Sequence, residues 1–586
     1  MRGASVAALG ACLLAAAVGA QDPPPPIEVE ASTRRCDADT ISTITIHAFP
    51  PSGIDAAARV LDAEPATLRR LLTTTRAQVL HSYLRLSEGA PCTERARQES
   101  ERLLRSLRFV ASAAVRALPD GPGRVRIAVL VVDEFPWVVG ARARDGTLIG
   151  LSGGTGNLLG RGITMVLGAT RGLAYRDGVS LLVSQVGLFR RPAFVTLSGE
   201  RLPLGGSLGF EMAEPFVSDL KRHAWHFGAQ DASGYAPLLR PADPDVALVA
   251  RRFALDAGYV RRIGLLGRFR GRRDIVGLVG AAAIGEGVRT SDRVVIVSDS
   301  GLVTPPGDPT LDSLSARYPA FAASRLALVG GVRALRFTTV RGFDGLRAEQ
   351  DVGQGMQVVA LAGPTVVAAR DQRDIFVALD AYGGRGDARV FTMAHLLAEA
   401  RALRGGRRWE GGVASARVVH YRALTVDHLR LVRIDGAILA RVRFPVQLTM
   451  RDAQGGIGGL VRSPAAGGQR LTVHVEDRWL LPWWRDRGDA AVAVFGDVGR
   501  LWRGDVPFGA TSPVRGALGL SLLAAYPSRG HRAYRLDLAV PLNPEPGRGG
   551  LQLRLSASDG RRALWGDPGD VARARSGAFP VSLFRW

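Results

Sequence analysis

Serine nucleophiles are the first chemistry to test in this chain. Gly150, Leu151, Ser152, Gly153 and Gly154, and again Gly205, Gly206, Ser207, Leu208 and Gly209, spell Gly-x-Ser-x-Gly. In hydrolases that pattern works because a sharp strand-to-helix turn exposes the serine. With 71 glycines in 586 residues, two chance matches are unsurprising, and neither lies in a strand-turn-helix context. Gly154, Gly156 and Gly160 do not make a phosphate loop, since no loop lysine follows and a strand comes next. His223 and His226 form a His-x-x-His, but their context is strand-like and no third ligand is near. No catalytic residue, metal site or cofactor is therefore expected, and an enzyme is the least supported class.

Composition narrows the rest. The chain is 46% hydrophobic and 22% charged, which excludes disorder, and its length allows roughly three to four average domains. The longest apolar run past the N-terminus, near residues 275–285, falls short of the ~20 residues a transmembrane helix needs. The formal charge is +22, almost all of it arginine, Lys221 being the lone lysine. Those arginines are spread along the whole chain without a nucleic-acid-binding motif, so no nucleic acid is expected.

Arg2, the apolar stretch 4–18 and the small residues Val18, Gly19 and Ala20 read as a secretory signal peptide over 1–20. A Pro-rich leader, 21–36, follows. An exported chain meets an oxidising compartment, so Cys36 and Cys92 are expected to form a disulfide, worth about 4 kcal/mol on loop entropy. Two buried thiols are the alternative.

Residues 37–136 read as a small α+β unit. Alternation over 40–47 predicts a strand. Leu68, Leu71, Leu72, Val79 and Tyr83 share a helical face. Thr93 caps a second helix striped by Ala96, Leu103, Leu104 and Leu107. Strands over 109–117 and 125–131 complete the order β-α-α-β-β. From 137 to 586 helical stripes vanish, apart from a helical reading over 393–403. Short alternating runs recur instead, as in Leu471, Val473 and Val475 against Thr472, His474 and Glu476. Some 450 residues of this texture in an exported chain predict a transmembrane β-barrel, and ~28 residues per strand and loop gives about 16 antiparallel strands.

Motifs in order sharpen that prediction. Asn157, Leu158, Leu159, Gly160, Arg161 and Gly162 come first, then Asp351, Val352, Gly353, Gln354 and Gly355. The Gly-rich run 455–462 precedes Gly467 and Gly468 and a strand bearing Glu476 and Arg478. Phe495, Gly496, Asp497, Val498 and Gly499 form an FxDxG. A Gly-rich strand over 514–525 and the run 535–542 follow. Together with the β-α-α-β-β unit, which resembles a POTRA domain, this series resembles the BamA/TamA-like outer-membrane assembly and translocation barrels, also called bacterial surface antigens, over roughly 40–558.

The resemblance implies that an arginine on the long sixth extracellular loop folds into the lumen and pairs with the FxDxG acid, Asp497. Val340, Arg341, Gly342 and Phe343 match that loop motif by letters, whereas Arg462 matches by position, with five or six strand-like runs after it against about ten after Phe343. Position is preferred, although Ser463 and Pro464 stand where the family has Gly and an aromatic. Glu476 and Arg478 share their strand's polar face and complete the expected luminal set, with Gly468 and Gly499 as barrel-motif glycines.

Function then divides into an inserter or translocator of unfolded outer-membrane or secreted clients, a passive channel or structural barrel, and an enzyme. The resemblance favours the first, in the bacterial outer membrane among its lipids. The small unit would face the periplasm, receive clients and meet periplasmic or lipoprotein partners.

Overall fold

The computed structural model describes residues 35–51, 73–144, 147–171, 177–241, 244–269, 273–298, 301–305, 307, 311, 313–368, 373–403, 408–460, 463, 465–482, 488–526, 528–543, 551–559, 566–575 and 583–584. The signal-peptide and leader readings over 1–34 lie outside them, as do Leu68, Leu71, Leu72 and Arg462.

The N-terminal unit is built from β1 (Asp37–Phe49), α1 (Ala77–His81), β2 (Pro91–Thr93), α2 (Glu94–Arg105), β3 (Val110–Pro119) and β4 (Arg124–Asp133). The sheet order is β2-β1-β4-β3, with β1 parallel to β4 and the other pairs antiparallel. Parallel pairing of β1 with β4 needs a crossover, which the helices supply. Thr93 caps α2 by accepting the Ala96 amide at 3.3 Å, and Glu94 stands in the first turn against the helix dipole. Leu103 and Leu104 of α2 are buried with Val115, Val125, Ile127 and Val129 in one core. A disulfide joins Cys36 to Cys92, tying the start of β1 to β2.

Among the described residues, twenty longer strands between Trp137 and Asp559 form a closed antiparallel ring, and the three-residue strand Gly301–Val303 extends one hairpin. That is more than 16 because the early hairpins are tight: six strands occupy the 78 residues from Trp137 to Glu214. The 393–403 segment is part of strand Val390–Leu403, not a helix, and its inward residues alternate as Met393, His395, Leu397, Glu399 and Arg401.

The ring's outer face is apolar. Leu167, Leu208, Val279, Leu328, Val494 and Leu520 are all exposed, Leu328 at 74%, while their strand neighbours turn inward. Arg325 at 1% and Val329 at 1% flank Leu326 and Leu328. A greasy outside and a charged inside is the pattern of a barrel solvated by lipid. Among the described residues no helix is long and apolar enough to cross a membrane.

The small unit docks against one end of the ring. Arg105 of α2 pairs with Asp351 at 2.9 Å, and Arg102 lies 3.9 Å above the Phe337 ring. Asp133 accepts both the amide and the hydroxyl of Thr75 at 2.7 Å, and Asn157 donates to that hydroxyl at 2.7 Å while accepting the Gly162 amide at 2.8 Å. The 157–162 motif is thus a turn that fastens the unit to the ring, and Asp351 is a docking residue. This end is the one through which the chain enters the ring, and so fixes the direction of every strand.

Candidate functional site

The strands Gln469–Leu480 and Asp489–Trp502 pair in register, with His474 opposite Asp497 and Glu476 opposite Phe495. Period-two alternation sends Ala491, Ala493, Phe495, Asp497, Gly499 and Leu501 inward, because Val492, Val494 and Val498 take the lipid side. Arg470, Thr472, His474, Glu476 and Arg478 line the facing positions.

Asp497 grips the segment 441–468, which connects the strands His428–Ala440 and Gln469–Leu480. Its Oδ2 accepts the Gly458 amide at 2.9 Å, and its Oδ1 lies 2.7 Å from His474 Nδ1. The segment is packed into the ring: Leu448, Met450 and Ile457 are buried with the wall residues Val413, Leu439, Leu501 and Ala517. Two glycines make the approach possible. A Cβ on Gly458 would meet Asp497 Oδ2 at 2.6 Å, and one on Gly499 would meet Met450 Cε at 2.7 Å. Gly468 sits at the segment's end, its amide donating to the carbonyls of Trp502 and Arg503.

Arg462 was the expected partner of Asp497, and it lies outside the described residues. The groups that do meet Asp497 are a backbone amide and His474. Glu476 is fully buried and already doubly paired, with Arg478 Nη2 at 2.7 Å and Arg535 Nη1 at 2.5 Å. Arg535 also holds Asp537 at 2.6 Å, and His474 Nε2 stands 3.5 Å from Glu476. Arg478 gives both Nε and Nη2 to Oε1 while Arg535 takes Oε2, so the two guanidinium groups satisfy both oxygens of the buried carboxylate. His474, Arg535, Asp537 and Gly458 were missed as site residues. Arg535, Asp537 and Gly458 lie inside the quoted runs 535–542 and 455–462, and His474 stands two positions from Glu476, but residue type gave none of them a role.

Val340, Arg341, Gly342 and Phe343 belong to the opposite end. Arg341 closes the strand Phe321–Arg341 and pairs on the surface with Glu349. Phe343 is fully buried and stacks on Tyr421 at 4.4 Å, and its carbonyl accepts from Arg478 at 3.1 Å. Leu346 packs against Ala491, Ala493, Leu523 and Ala525. The turn after Arg341 therefore reaches across the mouth beneath the small unit, and Arg478 ties it to Glu476. Five ring strands follow residue 468 and ten follow Phe343.

The remaining sequence candidates are placed as follows. Ser152 and Ser207 lie within the strands Thr147–Thr155 and Gly205–Glu214, not on strand-to-helix turns. His226 meets Asp256 at 2.6 Å, while His223 stacks on Tyr259. Three residues apart on one strand, the two histidines take opposite faces and cannot share a metal. Among the described residues no cluster could hold a metal ion.

The lumen is uneven. Ser198 pairs with Gly209, which pairs with Gln230, then Ala254, then Glu286, so all share the inner face. In the arc formed by the strands from Thr147 to Glu214 that face carries Ser152, Ser180, Ser184, Ser198, Glu200 and Ser207, and Ser180, Ser198 and Glu200 are exposed. In the facing arc the inner residues are buried, with Glu286 held by Arg325 at 2.6 Å and Arg401 at 2.8 Å. One half of the lumen is packed, and the other sets small polar groups open to water beside Val166, Leu182 and Phe194.

No protein-family model and no curated protein matches the sequence. Solved structures do resemble the fold. CdiB from Escherichia coli is 12% identical with a TM-score of 0.43, covering 93% of this chain and 95% of that one. CdiB from Acinetobacter baumannii is 8% identical with a TM-score of 0.38, covering 89% and 74%. BamA from Haemophilus ducreyi lacking POTRA domains 1–3 is 11% identical with a TM-score of 0.35, covering 89% and 84%.

Proposed function

We propose that this protein is an outer-membrane barrel that inserts unfolded client proteins into, or passes them across, that membrane. The observation that carries the reading is the grip of Asp497 on the folded-in segment 441–468. A barrel that served only as an open pore would have no use for a wall acid and a wall glycine shaped around an internal segment. The solvated Ser-lined arc beside that packing offers an extended polypeptide a polar route.

The small unit supports the same reading. In its sheet order β2 and β3 are the edge strands, and an edge can take up an extended client segment by main-chain hydrogen bonds. Its resemblance to a POTRA domain supports a periplasmic position, where lipoprotein or periplasmic partners would meet it. By the family resemblance, Arg462, three residues past Gly459 in the sequence, is the residue we assign to anchor segment 441–468. The export signal over 1–20 and the apolar belt fit an outer-membrane location.

The test is reconstitution into liposomes with an unfolded outer-membrane barrel protein as client. Folding of the client should proceed several-fold faster than in empty liposomes, and Asp497→Ala should reduce that gain. A protein that conducts ions yet leaves client folding unchanged would be a passive channel, and the reading would fail.

A further inference from the structure

The last ring strand ends at Asp559, beside the strand Trp137–Arg144 that opens the ring. The described residues beyond it are not outside the barrel. Residues 566–575 and 583–584 form hydrogen bonds with five different ring strands. Asp567 accepts the Ser415 hydroxyl at 2.7 Å, and Asp570 takes a bidentate contact from Arg470 at 2.6 and 3.1 Å and the Thr449 amide at 3.1 Å. Arg575 donates to Ser415 Oγ at 2.6 Å and to the Leu397 carbonyl at 2.9 Å, while Arg252 donates to the Arg573 carbonyl at 2.9 Å. Asp570 and Val571 are completely buried.

A second station lies further along. Leu583 and Phe584 are completely buried in an apolar seat formed by Phe216, Val276, Leu278, Val329, Val359 and Leu361. The seat also recognises backbone: the Phe216 amide donates to the Leu583 carbonyl at 2.8 Å, and Gln357 Nε2 donates to the Phe584 carbonyl at 3.2 Å. Phe216 is itself held in place by Arg333, which donates to its carbonyl at 2.7 Å. Wall groups that meet main-chain oxygens and bury two adjacent large apolar side chains are the parts of a peptide-binding site.

We propose that the two described stretches, 566–575 and 583–584, are a tethered ligand of a peptide-binding site in the barrel lumen, plugging it at rest and giving way to a client segment of the same chemistry. That chemistry is an extended polypeptide with an adjacent pair of large apolar residues and a carboxylate for Arg470. The client half of the statement rests on the translocation reading above. The Arg470–Asp570 pair is sealed, its side chains 2% and 0% exposed, so the plug yields only to a segment whose own carboxylate takes over Arg470. An incoming acidic segment then replaces like with like.

The experiment uses planar bilayers and the liposomes described above. Protein lacking residues 566–586 should conduct at least about fivefold more than the full chain. A synthetic peptide of residues 566–586 should bind the shortened protein and restore low conductance. The same peptide carrying Leu583→Ser, Phe584→Ser and Asp570→Asn should need at least tenfold higher concentration. Should the shortened chain fail to fold, the full-length variant with Ser415→Cys and Asp567→Cys decides the matter. Oxidation should lock the plug and suppress client folding, and reduction should restore both client folding and peptide exchange. Unchanged conductance on deletion, in protein that still runs as a compact barrel, would overturn the proposal, as would full client folding by the locked form. If deletion opens the pore and the peptide closes it while no form assists a client, the plug and its site stand and the translocation reading falls.

Discussion

Replacing Asp497 by alanine removes the acid that joins the wall to segment 441–468. Two contacts disappear, the Gly458 amide at 2.9 Å and His474 Nδ1 at 2.7 Å. Hydrogen bonds to a charged group contribute about 1.5–3 kcal/mol each, and an orphaned amide costs a further ~1–3 kcal/mol where water cannot reach it. Both figures must be reduced here. The Asp497 side chain is 9% exposed, so water can enter the gap, and His474 keeps Glu476 at 3.5 Å. The net cost should be about 2–3 kcal/mol. Asp497→Asn keeps an acceptor for Gly458 but loses the charge, and should cost about half as much. Gly458→Ala drives a methyl into the same carboxylate and toward the Phe495 ring at 3.0 Å, so it should break the same contact from the other side. Because the two changes break one interaction, combining them should cost at least about 1 kcal/mol less than the sum. The assay is urea unfolding of the reconstituted barrel, read by loss of the compact gel form. Trypsin cleavage at Arg443 and Arg451 provides a second reading, of loop order. If Asp497→Ala costs under about 0.5 kcal/mol, or if the double variant is fully additive, Asp497 is a solvated luminal charge and the grip has been misread.

Four more expectations can be checked on the same material. Phe343→Ala should destabilise the barrel by about 3–5 kcal/mol through loss of a fully buried stacked ring, whereas Arg341→Ala, an exposed surface pair, should cost under about 1 kcal/mol; equal effects would mean the turn does not close this mouth. Burial, opposed by the two Thr75 hydrogen bonds, lifts the Asp133 carboxyl to about 6, so its stabilising effect is complete below pH ~4 and lost as pH rises through about 6. The junction should weaken by roughly 3 kcal/mol between those limits, and Asp133→Asn should flatten proteolysis of the small unit against pH. Peptide mass spectrometry without reductant should find Cys36 linked to Cys92, and changing both to serine should cost the small unit about 4 kcal/mol; two free thiols in the native protein would refute the bond. Amide exchange should be fastest in the strands Trp137–Arg144 and Gln552–Asp559, where the ring closes between two strands of only 8 residues, and uniform exchange around the ring would count against a weak seam.

The barrel was legible because period two survives along the strands, whatever their length. Its strand number was not, because hairpin length leaves little trace in composition: the turn between Leu202 and Gly205 is as short as a turn can be, while 441–468 fills the lumen. The 393–403 misreading has a related cause. Met393, Leu396, Leu397, Ala400 and Leu403 fit a helical stripe, but in a barrel the inner face holds His395, Glu399 and Arg401 as legitimately as an apolar residue. A polar interior removes the contrast on which helix and strand stripes are told apart. At the site, Asp497, Glu476 and Arg478 stood out by motif and by face. The partner of Asp497 did not, since a backbone amide has no residue type to recognise. Phe343 was visible only as letters, and its position, under the small unit and not in the sixth loop, depends on the direction of its strand.

Three parts of the chain distant in sequence pack into this lumen: the turn after Arg341, the described residues of segment 441–468, and residues 566–575 with 583–584. They are cross-tied, not merely adjacent. Asp570 of the last accepts the Thr449 amide of the second, and Arg478 bridges the Phe343 carbonyl of the first to the wall acid Glu476. The wall they lean on includes the longest strands, Val246–Phe269 and Arg273–Ser298, of 24 and 26 residues. The other half is built from strands of 8 to 11 residues, close to the minimum of about 9–11 needed to span a bilayer, and its inner face mixes Ser152, Ser180, Ser198 and Glu200 with Val166, Leu182 and Phe194. Stiffness and packing thus lie on one side, and thin wall, water and the closing pair of strands on the other. A structure that only had to be a stable pore would gain from distributing its packing around the ring. Concentrating it on one side keeps the barrel folded while leaving the opposite side few contacts to break, which is what admitting a polypeptide requires.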